Sequence, residues 1–95
     1  MSNIDAEIAR LSHKDIRIRR RAVRTLFDLN SHNSLKGFVP LLDDSDSWFR
    51  TKAIDAHRKW ANCENDLLAL SERDDVDTKR IAAELLEKIS APKIA

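Results

Sequence analysis

The chain has 95 residues and a formal net charge of +1, with 42% hydrophobic and 35% charged residues. This length suits one domain with a modest core, and the near-neutral balance excludes the overall positive charge typical of a dedicated nucleic-acid binder. One glycine and two prolines leave few turn signals for strands or hairpins, so an all-α fold is predicted.

In chain order, amphipathic segments predict six helices arranged as three pairs. The expected spans are 3–11 and 15–30, 34–42 and 46–61, and 65–72 and 75–90. Asn3, Ser34 and Asn65 are candidate N-caps of first helices, and acidic residues crowd the first turn of every second helix. Pro40 lies inside the third helix, where it removes a backbone hydrogen bond, so that helix is expected to be kinked or to start late.

The second helix of each pair repeats the same residue types at spacings of 31 and then 29 residues. The matched positions are Asp15, Arg19 and Ala22, then Asp46, Arg50 and Ala53, then Asp75, Lys79 and Ala82. This echo predicts a single domain over 1–95 that is built from three repeats, approximately 3–30, 34–61 and 65–90.

Units of this length with the pattern D-x-x-[apolar]-[R/K]-x-x-A resemble HEAT-like repeats of the short phycobilisome-lyase type. The stretches that carry the resemblance are DIRIRRRAVRTLFDL, LLDDSDSWFRTKAIDA and, more weakly, DDVDTKRIAAELLEKI. The resemblance implies a right-handed α-solenoid of three antiparallel helix pairs, with the second helices lining a concave groove. It implies no activity, and the bilin-lyase reaction is not carried over to one small module.

The arginine of the repeat points into the apolar face of its helix, at about 100° of rotation per residue. A guanidinium there needs an acceptor, because an unpaired buried charge is very costly. We therefore expect the repeat cations to pair with the carboxylates of the turns. The predicted structural set is Asp15, Arg19, Asp46, Arg50, Asp75 and Lys79.

Four other arginines of the second predicted helix, Arg17, Arg20, Arg21 and Arg24, face solvent together and are called the arginine stripe. One interpretation is a solvated face; the other is contact with an anionic partner, since arginine offers a planar fork for carboxylate or phosphate. Trp48 belongs to the same face in the second unit, either folded back over the loop or serving as a binding anchor. The candidate partner-binding set is Arg17, Arg20, Arg21, Arg24, Trp48, Lys52 and Lys59.

The sequence contains no recognisable signature of catalysis, metal binding or cofactor binding. His57 falls at a core position of its helix, so it is interpreted as a hydrogen-bonded core histidine. The acidic loop DDSDS (43–47) lacks the glycine of a calcium loop and is interpreted as a helix cap. A single glycine precludes the glycine-rich phosphate-binding loops. We therefore expect no cofactor, no metal and no enzymatic activity.

The leading hypothesis is a non-enzymatic protein-binding module, an adaptor or accessory subunit, whose partner is a larger subunit or an acidic protein surface. The alternative is a nucleic-acid-binding accessory protein, for example in a DNA replication or repair complex, with the arginine stripe on phosphates. A purely structural domain is a third possibility. The apolar Ile81 and Leu85 favour a homo-oligomer through the C-terminal repeat. The lone Cys63 and the absence of a long apolar run predict a cytoplasmic protein without membrane contact.

Overall fold

Helices account for all the regular secondary structure of residues 3–90, the part of the chain that the computed structural model describes. The α-helices are α1 (Asn3–Arg10), α2 (Ile16–Leu29), α3 (Leu35–Phe38), α4 (Ser47–Trp60), α5 (Leu68–Ser71) and α6 (Val76–Ser90). Short 3-10 turns at His32–Ser34, Pro40–Asp43 and Glu64–Leu67 extend the two shortest helices. The prediction of an all-α fold is therefore confirmed.

The third predicted helix is broken where Pro40 was expected to disturb it. The α-helical turns of α3 end at Phe38, and a 3-10 turn begins at Pro40 itself, because proline has no N–H to continue the helix. The predicted caps are wrong here. The buried hydroxyl of Ser34 caps nothing, Ser31 accepts from the Asn33 N–H instead, and Asn65 lies within a 3-10 turn.

Aspartates placed before the three long helices act as N-caps. The Asp15 and Asp46 side chains accept from the backbone N–H of Arg17 and Trp48, each at 2.9 Å. Asp75 accepts from the Thr78 N–H at 3.2 Å and from its hydroxyl. The repeated aspartate is therefore structural, but as a cap that satisfies helix N–H groups rather than as the partner of the repeat cation.

The repeat cation is covered only in the first unit. Arg19 pairs with Asp44 rather than with the aspartates that were expected, donates to the Leu11 carbonyl at 3.2 Å, and lies 4.2 Å from the centroid of the Phe49 ring. Its counterparts are exposed, which corrects the sequence prediction. Arg50 donates to the backbone carbonyls at 44 and 45, and Lys79 makes no hydrogen bond or ion pair within residues 3–90.

Aromatic rings form the centre of the core beneath α2 and α4. Phe27 stacks on Trp60 at 5.0 Å between centroids, and Phe38 meets Phe27 edge-on at 5.4 Å. Trp60 is 6% exposed and donates its Nε1–H to Asn30 Oδ1 at 3.0 Å. His57 is fully buried, with Nδ1 2.7 Å from the Ala53 carbonyl. The prediction of His57 as a hydrogen-bonded core residue is confirmed.

Successive units also touch through their first helices. A Cβ added at Gly37 of α3 would meet the Ile8 side chain of α1 at 2.9 Å, so α1 and α3 approach closely at this glycine. His32 Nε2 lies 3.0 Å from an Asp66 carboxylate oxygen, and Arg73 donates to Asp43 at 2.6 Å. The contact at Gly37 joins the first pair to the second, and the other two contacts join the second pair to the third.

Candidate binding surface on α2 and α4

Side chains from α2 and α4 form a mixed aromatic and basic surface, which we call the α2–α4 face. Its residues are Arg20, Arg24, Phe27, Trp48 and Lys52. The α2 positions follow one another at helical spacing on the side turned toward α4. The Asp46 cap starts α4 so that Trp48 stands in its first turn, opposite Arg20.

Trp48 is half-buried and sits between two cations. Its ring packs edge-on against Phe49, with centroids 5.0 Å apart. The guanidinium carbon of Arg20 is 5.6 Å, and the ammonium nitrogen of Lys52 is 5.5 Å, from the Trp48 ring centroid. Both distances lie within the range of cation–π attraction. The contacts hold the indole in one place while leaving part of it accessible.

Phe27 packs against the core and also extends the aromatic surface of the face. It is half-buried, with one neighbour in the Trp60 ring and another in Lys52, whose Nζ is 5.8 Å from the Phe27 centroid. The sequence spacing indicates this placement of Phe27, because position 27 lies three residues after Arg24 and seven after Arg20. It therefore borders the arginine stripe.

The arginine stripe divides between two surfaces. Arg20 leans toward α4, with its guanidinium 3.8 Å from the Asp46 carboxylate. Arg24, one turn further along, is exposed and makes no hydrogen bond or ion pair with any residue from 3 to 90. Arg21 instead lines a shallow pocket against α1, beside Glu7 and Arg10. The four arginines therefore do not line a single groove.

Arg17 is bound to its own helix cap. Its guanidinium lies 3.3 Å from the Asp15 carboxylate, although the side chain is 86% exposed. Hydrogen bonds from the Arg17 side chain and backbone lower the pKa of Asp15. Asp15 therefore stays ionised as the helix cap. Its carboxylate partly neutralises the charge of Arg17.

Arg20 contributes a guanidinium to the face that is only partly open to solvent. Its Nε is buried and has no hydrogen-bond partner within residues 3–90. An arginine Nε with no acceptor is a donor left unused. Since Nε is closed off from solvent, an incoming carboxylate would reach only the terminal guanidinium nitrogens of Arg20.

Lys59 lies apart from the centre of the face. It is exposed, two turns beyond Lys52 on α4, and contacts none of the other candidates. The half-buried Asp55 stands between the two lysines along the helix. Lys59 extends the positive potential toward the end of α4, but its side chain is not in contact with the residues of the α2–α4 face.

The two residues from which self-association was predicted are mostly covered by the fold. Leu85 is buried and Ile81 is half-buried against the core, so the expectation that they leave an apolar end open is wrong for these positions. The exposed apolar residues of the third pair are others, Leu68 and Leu86 among them.

Within the described part of the chain, no group of three or more His, Cys, Asp or Glu side chains could hold a metal ion. None of the helices there has both the length and the apolar character needed to cross a membrane. No protein-family model, curated protein or solved structure matches the chain at a significant level. Its function is therefore inferred from the geometry of the chain itself.

Proposed function

We propose that the chain is a non-enzymatic protein-binding module, a HEAT-like right-handed solenoid of three helix pairs, and that its α2–α4 face binds an acidic segment of another protein. The observation that carries this proposal is the half-buried Trp48 held between Arg20 and Lys52. The module would act as an adaptor or accessory subunit.

Two features support the stacked-repeat part of the proposal. The sequence echo of 31 and then 29 residues aligns the cap aspartates of α2, α4 and α6. Contacts at Gly37 join the first unit to the second, and the ion pair between Arg73 and Asp43 joins the second to the third. In a stacked array each unit contacts its neighbours in sequence, and these contacts fit that pattern.

The chemistry of the face supports a protein partner. Tryptophan and arginine are the residues most enriched among those that dominate the energetics of protein interfaces. Because Trp48 is already fixed by Phe49, Arg20 and Lys52, binding would cost little further loss of side-chain freedom. An acidic side chain of the partner would accept from Arg20 and Arg24, and an apolar one would cover the Trp48 and Phe27 rings.

The division of the stripe favours a carboxylate-bearing peptide over a nucleic acid. Arg17 and Arg20 are partly neutralised by Asp15 and Asp46, and Arg21 turns to the other side of α2. A duplex requires an extended set of cations on successive phosphates. Arg24 and Lys52 are too few for that purpose, but they suffice for one or two carboxylates.

A peptide-display selection tests the proposal. A random peptide library is selected on the wild-type chain, on Lys52→Glu, and on Lys36→Glu as the matched control, since Lys36 is an exposed lysine of α3. The wild type and the control should enrich peptides with two or more Asp/Glu beside an aliphatic or aromatic residue. Lys52→Glu should lose these peptides, with affinity falling at least about tenfold. Equal enrichment on Lys52→Glu would refute the proposal.

A DNA titration distinguishes the alternative function, nucleic-acid binding, from peptide binding. A labelled duplex of about 20 base pairs is titrated with the chain at several salt concentrations. If four arginines bound phosphates, the log–log salt slope would be about −3 to −4. Such a slope, with affinity that survives about 0.15 M salt and is lost on Arg24→Glu, would favour nucleic acid and count against the peptide site.

A further inference from the structure

The third helix pair carries an open apolar groove on its outer side. It has a volume of about 310 Å³ and runs between the segment Glu64–Ser71 and α6. Leu68 lines one wall, and Ala83 and Leu86 line the other. No residue of this groove belongs to the α2–α4 face, so the inference does not depend on the proposed function.

The groove brings two exposed leucines together. Leu68 is 47% exposed and Leu86 is 37% exposed, whereas Leu67 between them is 3% exposed and forms the floor. An apolar surface placed over the groove would remove both leucine side chains from water, which is favourable.

Opposite charges mark the two ends of the groove. Glu64 begins the first segment of the pair and Lys79 stands in the first turn of α6. Because a four-residue turn joins the two segments, they run antiparallel, and their starting residues lie at opposite ends of the groove. Both residues are exposed, and neither makes an ion pair within residues 3–90.

We propose that this groove is the interface of a weak symmetric homodimer, with a second copy of the chain as its occupant. A two-fold axis across the groove would place Leu68 and Leu86 of the two copies against each other. The same rotation reverses the direction of the groove, so the Glu64 end of one copy meets the Lys79 end of the other. The groove is thus self-complementary in charge as well as apolar, as a two-fold interface requires.

In the dimer, Lys79 gains an ion-pair partner, as its counterpart Arg19 has within the fold. Lys79 stands where Arg19 stands in the first unit, yet it has no acceptor among residues 3–90. In the dimer its acceptor is Glu64 of the other copy. A groove of this size buries far less than a standard interface, so a dissociation constant between about 10 µM and 1 mM is expected.

Sedimentation equilibrium of the full chain from about 10 µM to about 1 mM tests the dimer, with variants chosen to reverse one rim charge at a time. Glu64→Lys alone places lysines against lysines, and Lys79→Glu alone places glutamates against glutamates. Each variant by itself should raise the dissociation constant about tenfold, since two rim pairs change from attractive to repulsive. Circular dichroism checks that each variant remains helical.

An equimolar mixture of the two variants provides the decisive comparison. In the mixed dimer both rim pairs again join a lysine to a glutamate, so association should return to within about threefold of the wild type. Leu86→Asp, an exposed position, should abolish the dimer while keeping the helical spectrum. A wild-type chain that stays monomeric at about 1 mM would overturn the proposal. So would single variants that associate like the wild type, or a mixture no tighter than its components.

Discussion

The guanidinium of Arg19 pairs with the carboxylate of Asp44 across the junction of the first two helix pairs, beside the Phe49 ring. The same guanidinium donates to the Leu11 carbonyl at 3.2 Å. One side chain therefore holds the end of α1, the first turns of α2 and the turn before α4. These elements set the relative position of Arg20 and Trp48 in the α2–α4 face.

Replacing Arg19 with alanine should destabilise the fold, because Asp44 is left largely covered and without its cation. The expected loss of unfolding free energy is about 2–3 kcal/mol, measured by urea denaturation. Arg50→Ala is the matched control, since Arg50 occupies the same repeat position but is exposed, and its loss should stay below about 1 kcal/mol. Equal losses for the two variants would show that the covered arginine has no special structural role.

The cap at Asp46 offers a second test that separates its two contacts. Asp46→Ala removes the acceptor of the Trp48 N–H and should cost about 1 kcal/mol. Asp46→Asn keeps an acceptor at this position and removes only the charge near Arg20, so it should cost less than about 0.5 kcal/mol. Thermal unfolding of both variants measures the difference. If Asp46→Asn were as destabilising as Asp46→Ala, the ion pair with Arg20 rather than the cap would be the stabilising contact.

Stability should fall as the pH drops below about 6.5, because burial lowers the pKa of His57. The hydrogen bond to the Ala53 carbonyl and the Asp66 carboxylate oppose this shift only in part. Since the unfolded chain takes up the proton more readily than the folded chain, acid favours unfolding from the unfolded pKa downward. Unfolding free energies are compared at pH 7.5 and pH 5.

His57→Leu is the control for this pH dependence, because leucine occupies the corresponding positions of α2 and α6. The variant should lose less stability than the wild type between the two pH values. The cap carboxylates do not interfere in this window, since the pKa values of Asp15 and Asp75 lie below the ordinary aspartate value. An identical pH dependence in both chains would exclude His57 as its source.

The two tryptophans should respond very differently to truncation. Trp60→Ala removes a buried ring and the hydrogen bond to Asn30, so a loss of about 3–5 kcal/mol is expected. Trp48→Ala removes a half-buried ring at the edge of the core and should cost about 1–2 kcal/mol, while abolishing binding of the selected peptides. Loss of folding in Trp48→Ala comparable to that in Trp60→Ala would make Trp48 a core residue rather than a binding anchor.

Local features of the fold could be predicted from the sequence because they depend on nearby residues. The break at Pro40 follows from the missing N–H, and the burial of Trp60 and His57 follows from helical periodicity. The partner of Arg19 could not be predicted, since Asp44 and Asp46 lie two residues apart in one turn and only the packing of α2 against α4 selects between them.

The side of each helix that carries the candidate site could be predicted, because it depends only on helical periodicity. Helical angles placed Arg20, Arg24, Trp48 and Lys52 on a solvent-facing side. They could not show that α4 packs on the Arg20 side of α2, which draws Arg20 toward Trp48 and leaves Arg21 beside α1. Phe27 enters the face through the same packing, because Lys52 lies over its ring.

The most direct test of the α2–α4 face is an NMR titration of the ¹⁵N-labelled chain with a peptide from the selection. We expect the Trp48 indole resonance and the backbone amides of α2 and α4 to shift in proportion to occupancy, while the amides of α5 and α6 stay in place. Shifts concentrated in α5 and α6, or an unchanged Trp48 indole at saturating peptide, would contradict the assignment of this face as the binding surface.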